Sequence, residues 1–527
     1  MKPGRSTLKW ISLVLFAASL YACSPYLARE IPKEPLPAFD GKVVNLFWPG
    51  QDSLELRLTG VRVENNAISG SADAYKEANP YNYGNQWINV YVSDLVIRPE
   101  ILPCDMSFDI SQIRKIEVYN PSTMKVIGNI ALVSSTELMI MVLTFAIIAA
   151  LKESCPFVYA WNGEDYALAG ETYSGAIFPF QERHDYLPLP ALKPERGEYK
   201  IRLTNEVKEV QYTNLAELIV VDHPVGTSLL LDKYGCCLSY SDPQPPVWAR
   251  TANGNNLAGV LKAKDELRYG GEELSSSESG MDAITLSFKR APHAKSATLL
   301  LRAKSSFWLD YTLMKWFDLF GSKYNSWYRR QSGKPGTINP NWAVEQGIQL
   351  SVYLKKQDAW EFVDYFTVTG PMAERDMAMS IDLSSLENDD VTLKLINGFM
   401  FWEFDYAAMD FSPPCEVKSQ ALPIRTATDQ RGKNVRPLLA WDDRKYQTLA
   451  RIGDQVSMSF DAPSQDANTQ RTVFLHGKGH YRILRDPSGE PNFGYLKQFR
   501  APGRLSQFSR EKYLELMLQA SSKGGHH

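Results

Sequence analysis

Cysteine is scarce in this chain: there are six in 527 residues, with no C-x-x-C pair and no histidine cluster beside them. That leaves out the common zinc and dithiol redox elements. The adjacent Cys236 and Cys237 read as packed or bridged cysteines. Charge of one sign is also lacking, since 57 Lys and Arg against 60 Asp and Glu leave a net of −3. A polycationic nucleic-acid binder and a disordered acidic chain are both excluded. No G-x-S-x-G elbow, P-loop, G-x-G-x-x-G fingerprint or H-E-x-x-H helix occurs. No catalytic set, metal or cofactor is therefore assigned, and the chain reads as non-enzymatic. Long apolar runs number only two, "ISLVLFAASLYAC" from residue 11 and "IALVSSTELMIMVLTFAIIAAL" at 130–151.

Lys2, Arg5 and Lys9 precede the first run, which ends in Leu20-Tyr21-Ala22-Cys23. This is the anatomy of a secretory signal peptide. The tetrapeptide resembles the lipobox of bacterial lipoproteins, with Tyr21 departing from the small residue usual there. The resemblance implies cleavage after residue 22, acylation of Cys23, and a bacterial envelope address; Ser24 after Cys23 favours the outer membrane. Residues 23–41, with prolines at 25, 32, 35 and 37, read as an extended lipidated tether. The second run has about the 20 apolar residues a bilayer crossing needs, with Glu137 as its one carboxylate. A spanning helix, a helix inserted beside the lipid, a self-association helix and a helix packed on its own β-domains all remain open for 125–153.

Twenty-six tyrosines and twelve tryptophans, with many short alternating runs, argue for a mainly β, multi-domain fold. Residues 42–124 read as a small β-domain of four to six strands, turning at Asn65-Asn66. Asn162-Gly163, between "CPFVYAW" and "EDYALAG", is a hairpin signal because both residues tolerate positive φ. With "ERHDYLPLP" and "QYTNLAELIVVDH", this stretch resembles a module of uncharacterised bacterial envelope proteins, many of them lipoproteins. The resemblance carries an address and a β fold type but no reaction. It places a CPFVY-type β module at 154–280. Over 281–415, "VTLKLINGFMFWEFDYAAMDFS" reads as a strand pair. It resembles the closing strands of galactose-binding-like β-sandwiches, with Trp402, Asp405 and Asp410 at the matching places. A C-terminal β module at 416–505 and a short helix with tail at 506–527, capped by Ser509, complete the expected order.

Residues 249–304 and 427–478 echo each other. Gly254, Leu261 and Asp265 keep the spacing of Gly432, Leu439 and Asp443, which predicts duplication of one β module, with the sandwich inserted between the copies or completing the first. His476 and His480 in "FLHGKGHYR" would share one strand face rather than a helical metal site, given Gly477 and Gly479. Glu182, His184 and Asp185 read as a charged loop. Glu403 and Asp405 alternate on one strand, the arrangement from which a glycosidase carboxylate pair is built. The aromatic segment 305–342 predicts a helix with Leu309, Leu313, Trp316, Phe317 and Phe320 on one stripe. Its Trp308, Trp327, Tyr328 and Trp342 are candidate ligand-surface aromatics, with packing against a sandwich as the plainer alternative. The expected role is non-enzymatic binding or assembly at the membrane, with an envelope protein or a glycan as partner. Carbohydrate binding and a glycan-active enzyme are the alternatives.

Overall fold

The computed structural model describes residues 26–31, 43–47, 56–64, 67–74, 87–93, 103–121, 156–271, 280–333 and 341–524. The segment read as a signal peptide, Cys23, Cys155 and the apolar run 130–151 lie outside them. Among the described residues no helix is long and apolar enough to cross a membrane. The chain divides into two compact units, meeting between Met139 and Ile140.

The first unit is one seven-stranded sheet. Its strands are β1 (Tyr26–Ile31), β2 (Val43–Phe47), β3 (Leu56–Glu64), β4 (Ala67–Ala74), β5 (Trp87–Val92), β6 (Cys104–Asp109) and β7 (Ile113–Pro121), in the order β1-β7-β5-β2-β3-β4-β6. Alternation puts Leu56, Leu58, Ile68, Val90, Val92 and Ile116 into a single core. β3 and β4 pair as the hairpin expected about Asn65-Asn66. Six of the strands, β2 to β7, fall within 42–124 as expected, and one expectation is corrected: Tyr26–Ile31, read as unpaired tether, is a strand hydrogen-bonded along Ile116–Pro121.

The second unit begins with β8 (Phe157–Trp161), β9 (Tyr166–Glu171), β10 (Arg183–Pro188), β11 (Glu198–Thr204) and β12 (Glu209–Pro224). A small hairpin, β13 (Ser228–Leu231) and β14 (Cys237–Tyr240), leads to β15 (Trp248–Thr251), helix α1 (Ala258–Leu261), β16 (Met281–Lys289) and β17 (Ser296–Ser305). Helices α2 (Phe307–Asp318), α3 (Tyr324–Ser332) and α4 (Trp342–Glu345) are followed by β18 (Leu350–Lys356), β19 (Ala359–Phe366), β20 (Arg375–Asp382), β21 (Asp390–Gly398) and β22 (Trp402–Asp410). The last strands are β23 (Lys418–Leu422), β24 (Thr426–Asp429), β25 (Gln447–Leu449), β26 (Gln455–Asp461) and β27 (Thr469–Ile483), before α5 (Phe493–Leu496) and α6 (Arg504–Gly524).

These strands form two β-sandwiches on one plan. A five-stranded sheet, β24-β26-β11-β8-β9 in the first and β15-β16-β21-β18-β19 in the second, accompanies a sheet built on β10-β27-β12 or β20-β17-β22. Irregularities coincide as well. The register shift at Val158/Tyr159 recurs at Val352/Tyr353, and bulges leave Asn214 in β12 and Asp405 in β22 as the extra residues. After β15, Gly254 and Glu266 have φ of 89° and 65°; after β24, Gly432 and Arg444 have 76° and 63°. Along the chain the plan is a tandem repeat, 157–305 followed by 350–483, in which the last three strands of each copy complete the sandwich begun by the other.

This exchange corrects the expected domain boundaries. β15 of the 154–280 module belongs to the second sandwich, and the strands of 416–505 complete the first. β21 and β22, read as a pair, lie in opposite sheets with Gly398–Phe401 turning between them. The long helix α6 starts at Arg504, so Ser509 is no cap. It lies within the helix, donating to Phe399 O at 3.0 Å and receiving Trp308 Nε1–H at 2.7 Å. None of Cys104, Cys236, Cys237 and Cys415 is in a disulfide.

Candidate functional site

On β27, His476, Lys478 and His480 alternate with Gly477 and Gly479, so the three side chains share one face. The inner face, carrying Val473 and Leu475, is in the sandwich core. Register sets Tyr186 and Glu217 beside His476, His184 beside Lys478, and Tyr212 beside His480. The outward face of three strands is thus a polar and aromatic grid. Glycine at 479 is required by close approach, since a Cβ there would meet Tyr212 O at 2.5 Å.

A chain of polar contacts crosses this grid, its first two links hydrogen bonds. Glu217 Oε1 lies 2.8 Å from His476 Nδ1, His476 Nε2 lies 2.8 Å from His184 Nδ1, and His184 Nε2 lies 3.9 Å from Asp442 Oδ2. Asp442 arrives on the loop between β24 and β25, where Lys478 Nζ donates to both its oxygens and Asn214 Nδ2 donates to Oδ1 at 2.7 Å. Lys478 and Asn214 hold the Asp442 carboxyl below its usual range. The bulge at Asn214 is what aims this amide: its Oδ1 accepts Arg444 N–H at 3.0 Å, pinning the loop to the sheet. The next residue outward, Trp441, is 71% exposed.

At the other end of the grid Tyr446 donates to Glu182 Oε2 at 3.2 Å, and burial followed by Glu182 pushes its phenol up to about 12. His480, 5% exposed, is stacked on Tyr212 with centroids 4.8 Å apart. Burial pulls its imidazole down to about 4, so it is neutral at ordinary pH. Its Nδ1 finds no hydrogen-bond partner among the described residues. The face therefore offers exposed aromatic, anionic, cationic and imidazole groups, fit to receive a polar ligand.

The matching face of the second sandwich is closed. Asp405 replaces Asn214, Arg302 replaces Lys478, Arg268 replaces Tyr446, and Glu374 and Asp376 replace Glu182 and His184. Arg268 and Arg302 both bind Glu374, Arg302 and Lys264 bind Asp376, and Arg302 Nε lies 3.2 Å from Asp405 Oδ2. Asp405 has no exposed surface; burial, then Glu374, pushes its carboxyl up to about 7. Glu403 is 3.4 Å from Lys304 Nζ. The proposed carboxylate pair is thus divided between a sealed bulge residue and an ion pair.

The remaining sequence candidates are placed as follows. Glu182, His184 and Asp185 mostly belong to strand β10 rather than a loop. Asp185 is buried against Arg375 of the second sandwich at 2.9 Å. Burial pushes its carboxyl up, but Arg375 and Arg183 outweigh this and hold it far below the carboxylate range. Of the candidate ligand-surface aromatics, Trp308 and Tyr328 are buried, and Tyr328 donates to Ile177 O at 3.0 Å. Trp327 stacks on Phe320 with centroids 4.0 Å apart, and Trp342 donates to Phe499 O at 2.7 Å. They line a core under α5 and α6 rather than an open face. Among the described residues no group of three or more His, Cys, Asp or Glu is arranged to hold a metal. Trp441, Asp442 and Tyr446 were missed by sequence reading. The signal was their replacement of Ala263, Lys264 and Arg268 within an otherwise matching loop.

No family model matches the chain, and no curated protein matches it. Two solved structures are similar at a very low level. A GH31 alpha-xylosidase from Xanthomonas citri shares 10% identity over 84% of this chain and 38% of its own, with a TM-score of 0.16. The Sulfolobus Turreted Icosahedral Virus structure shares 7% over 63% of this chain and 91% of its own, with a TM-score of 0.13. The chain spans well under half of the xylosidase it is compared with, and neither likeness carries an argument.

Proposed function

We propose that this chain is a bacterial cell-envelope lipoprotein, acylated at Cys23, with a non-enzymatic binding or assembly role at the membrane. The outer face of the first sandwich is its binding surface. The observation that supports this is the contrast between the copies: ion pairs seal the face in one, whereas Trp441, Asp442 and His184 stand open in the other. A surface kept only for stability would gain little from an exposed tryptophan beside an imidazole chain.

A second reading, carbohydrate binding, is favoured by that tryptophan specifically. An exposed indole on the loop whose Asp442 carboxylate is approached by Lys478 and His184 suits the apolar face and hydroxyl edge of a pyranose. The five-stranded sheet facing a β10-β27-β12 or β20-β17-β22 unit, present twice, supports reading both sandwiches as galactose-binding-like, although fold alone names no ligand. A glycan-active enzyme using Glu403 and Asp405 is poorly supported, because Asp405 is sealed. The envelope address and the likeness to CPFVY-type lipoproteins rest on the residues quoted from the sequence.

Two measurements test the proposal. Alkyne-palmitate feeding should label the wild-type protein and leave Cys23→Ala unlabelled. On a glycan array, wild-type binding should disappear in Trp441→Ala. Binding that survives this substitution would take the face out of the function.

A further inference from the structure

The order of hydrogens along Glu217, His476, His184 and Asp442 follows from their partners. The Glu217 carboxylate only accepts, so His476 Nδ1, 2.8 Å away, carries a hydrogen. A neutral His476 then presents a bare Nε2, and His184 Nδ1, 2.8 Å from it, supplies the one hydrogen that fits between the rings. His184 Nε2 is left bare, 3.9 Å from Asp442 Oδ2. One further proton has a single place to go, His184 Nε2, where it faces a carboxylate oxygen. A second would set two N–H groups against each other between the stacked rings, whose centroids are 5.0 Å apart.

We infer that Glu217, His476, His184 and Asp442 form a one-proton switch that sets the ligand affinity of the first sandwich's outer face. With His184 neutral, the edge of Asp442 Oδ2 that faces β10 is open to a ligand hydroxyl. Protonated at Nε2 by a proton from solvent, His184 takes that oxygen and straps the loop bearing Trp441 to β10. Nothing else changes covalently. The inference rests on the binding reading above and names its regulation.

The groups around His184 fit such a switch. From β27 it faces His476 and Lys478, from β12 Glu217, and from the covering loop Asp442, which Asn214 holds in turn. On its own strand Tyr186 stacks on His476, while Asp185 faces away to Arg375 and Arg183. Burial, then His476 and Lys478, lowers the His184 imidazole below its ordinary 6.5, against Asp442 and Glu217, which raise it. Neutral His184, and hence the open face, is the form above that pH.

The test is a pH titration of the full chain labelled with ¹³C-histidine, followed at Cε1–H, since the chain has only seven histidines. His184 should take up one proton with a midpoint below 6.5. Lys478→Met, which removes the neighbouring cation, should raise that midpoint and Asp442→Asn should lower it. A midpoint that neither variant moves, or His184 and His476 each protonating independently in the wild type, overturns the switch. The glycan array read at about pH 5 and about pH 7.5 tests the coupling: binding should be roughly tenfold weaker at the lower pH, the scale of one charge-assisted hydrogen bond. His184→Gln should remove that difference. Equal binding at both pH values overturns the coupling while the titration midpoints still decide the switch. A blank array at both overturns the binding reading and the coupling with it.

Discussion

Asp405→Asn should stabilise the protein at neutral pH, although it removes a carboxylate from an ion-pair network. The wild-type carboxyl, with no exposed surface, is pushed by burial and then by Glu374 from 3.8 up to about 7. Between those values the folded protein holds a proton that the unfolded chain has released. Stability therefore falls as pH rises through this window, by about 1.4 kcal/mol per pH unit. Over the shift from 3.8 to about 7 the whole effect is of order 4 kcal/mol. The first sandwich already shows asparagine working at this place, where Asn214 accepts a loop N–H and donates to Asp442. Asparagine at 405 would accept the Glu266 N–H in the same way. Arg302 loses one neighbour but keeps Glu374 and Asp376, so about 2–4 kcal/mol should remain at pH 7. Urea unfolding at a series of pH values should show the variant gaining on wild type from about pH 4 to 7. A variant less stable than wild type at pH 7, or a difference that does not change with pH, would refute the assignment of a buried neutral carboxyl.

His480→Gln should show a difference curve of the opposite slope. Burial lowers the imidazole from 6.5 to about 4, so the wild type loses about 3 kcal/mol as pH falls through that window and the variant does not. Arg375→Gln leaves Asp185 buried with only Arg183 beside it, at 3.2 Å; a loss of about 3–5 kcal/mol in chemical denaturation is expected. Trp441→Ala should leave the melting temperature within a degree or so, since an exposed ring stabilises little. The body of residues 156–524 should unfold in a single transition, with tryptophan fluorescence and far-ultraviolet circular dichroism coinciding, because each sandwich borrows three strands from the other copy. Two separated transitions would refute that coupling.

Local structure was legible where one physical constraint acts over a few residues. "EYKIRLT" alternates and is β11, with every second side chain buried. The turn after β15 was recognisable as a repeat because Gly254 and Gly432 both need positive φ. The other half of the repeat, 157–224 against 350–410, was not, since alternating strands tolerate almost any residue on their outer positions. The aromatic segment 305–342 showed its helix periodicity but left packing and a ligand surface both open, because the surface that covers Trp308 and Trp342 comes from Phe499, Phe508 and Ser509, far downstream. The candidate site was illegible for the same reason. Its side chains come from β10, β12, β27 and the loop after β24, and neither bulge that aims Asn214 or Asp405 has a sequence mark.

Strand exchange also bears on why one copy of the face is open and the other shut. In each sandwich the strand between β10 and β12, or between β20 and β22, comes from one repeat and its two neighbours from the other. A face residue on β27 therefore answers to partners on β10 and β12 rather than to its own repeat. Lys264, Arg268 and Arg302 meet Glu374 and Asp376 on the second face, and none of these five residues belongs to the first. The cost of leaving Asp405 protonated falls on a sandwich whose core is also joined by the helices of 307–345 and by α6. The first sandwich has no such helical support in its core and keeps milder groups on its face, histidines and tyrosines that can stay neutral. The sandwich with the open face and the one with the closed face are joined by the buried Asp185–Arg375 pair.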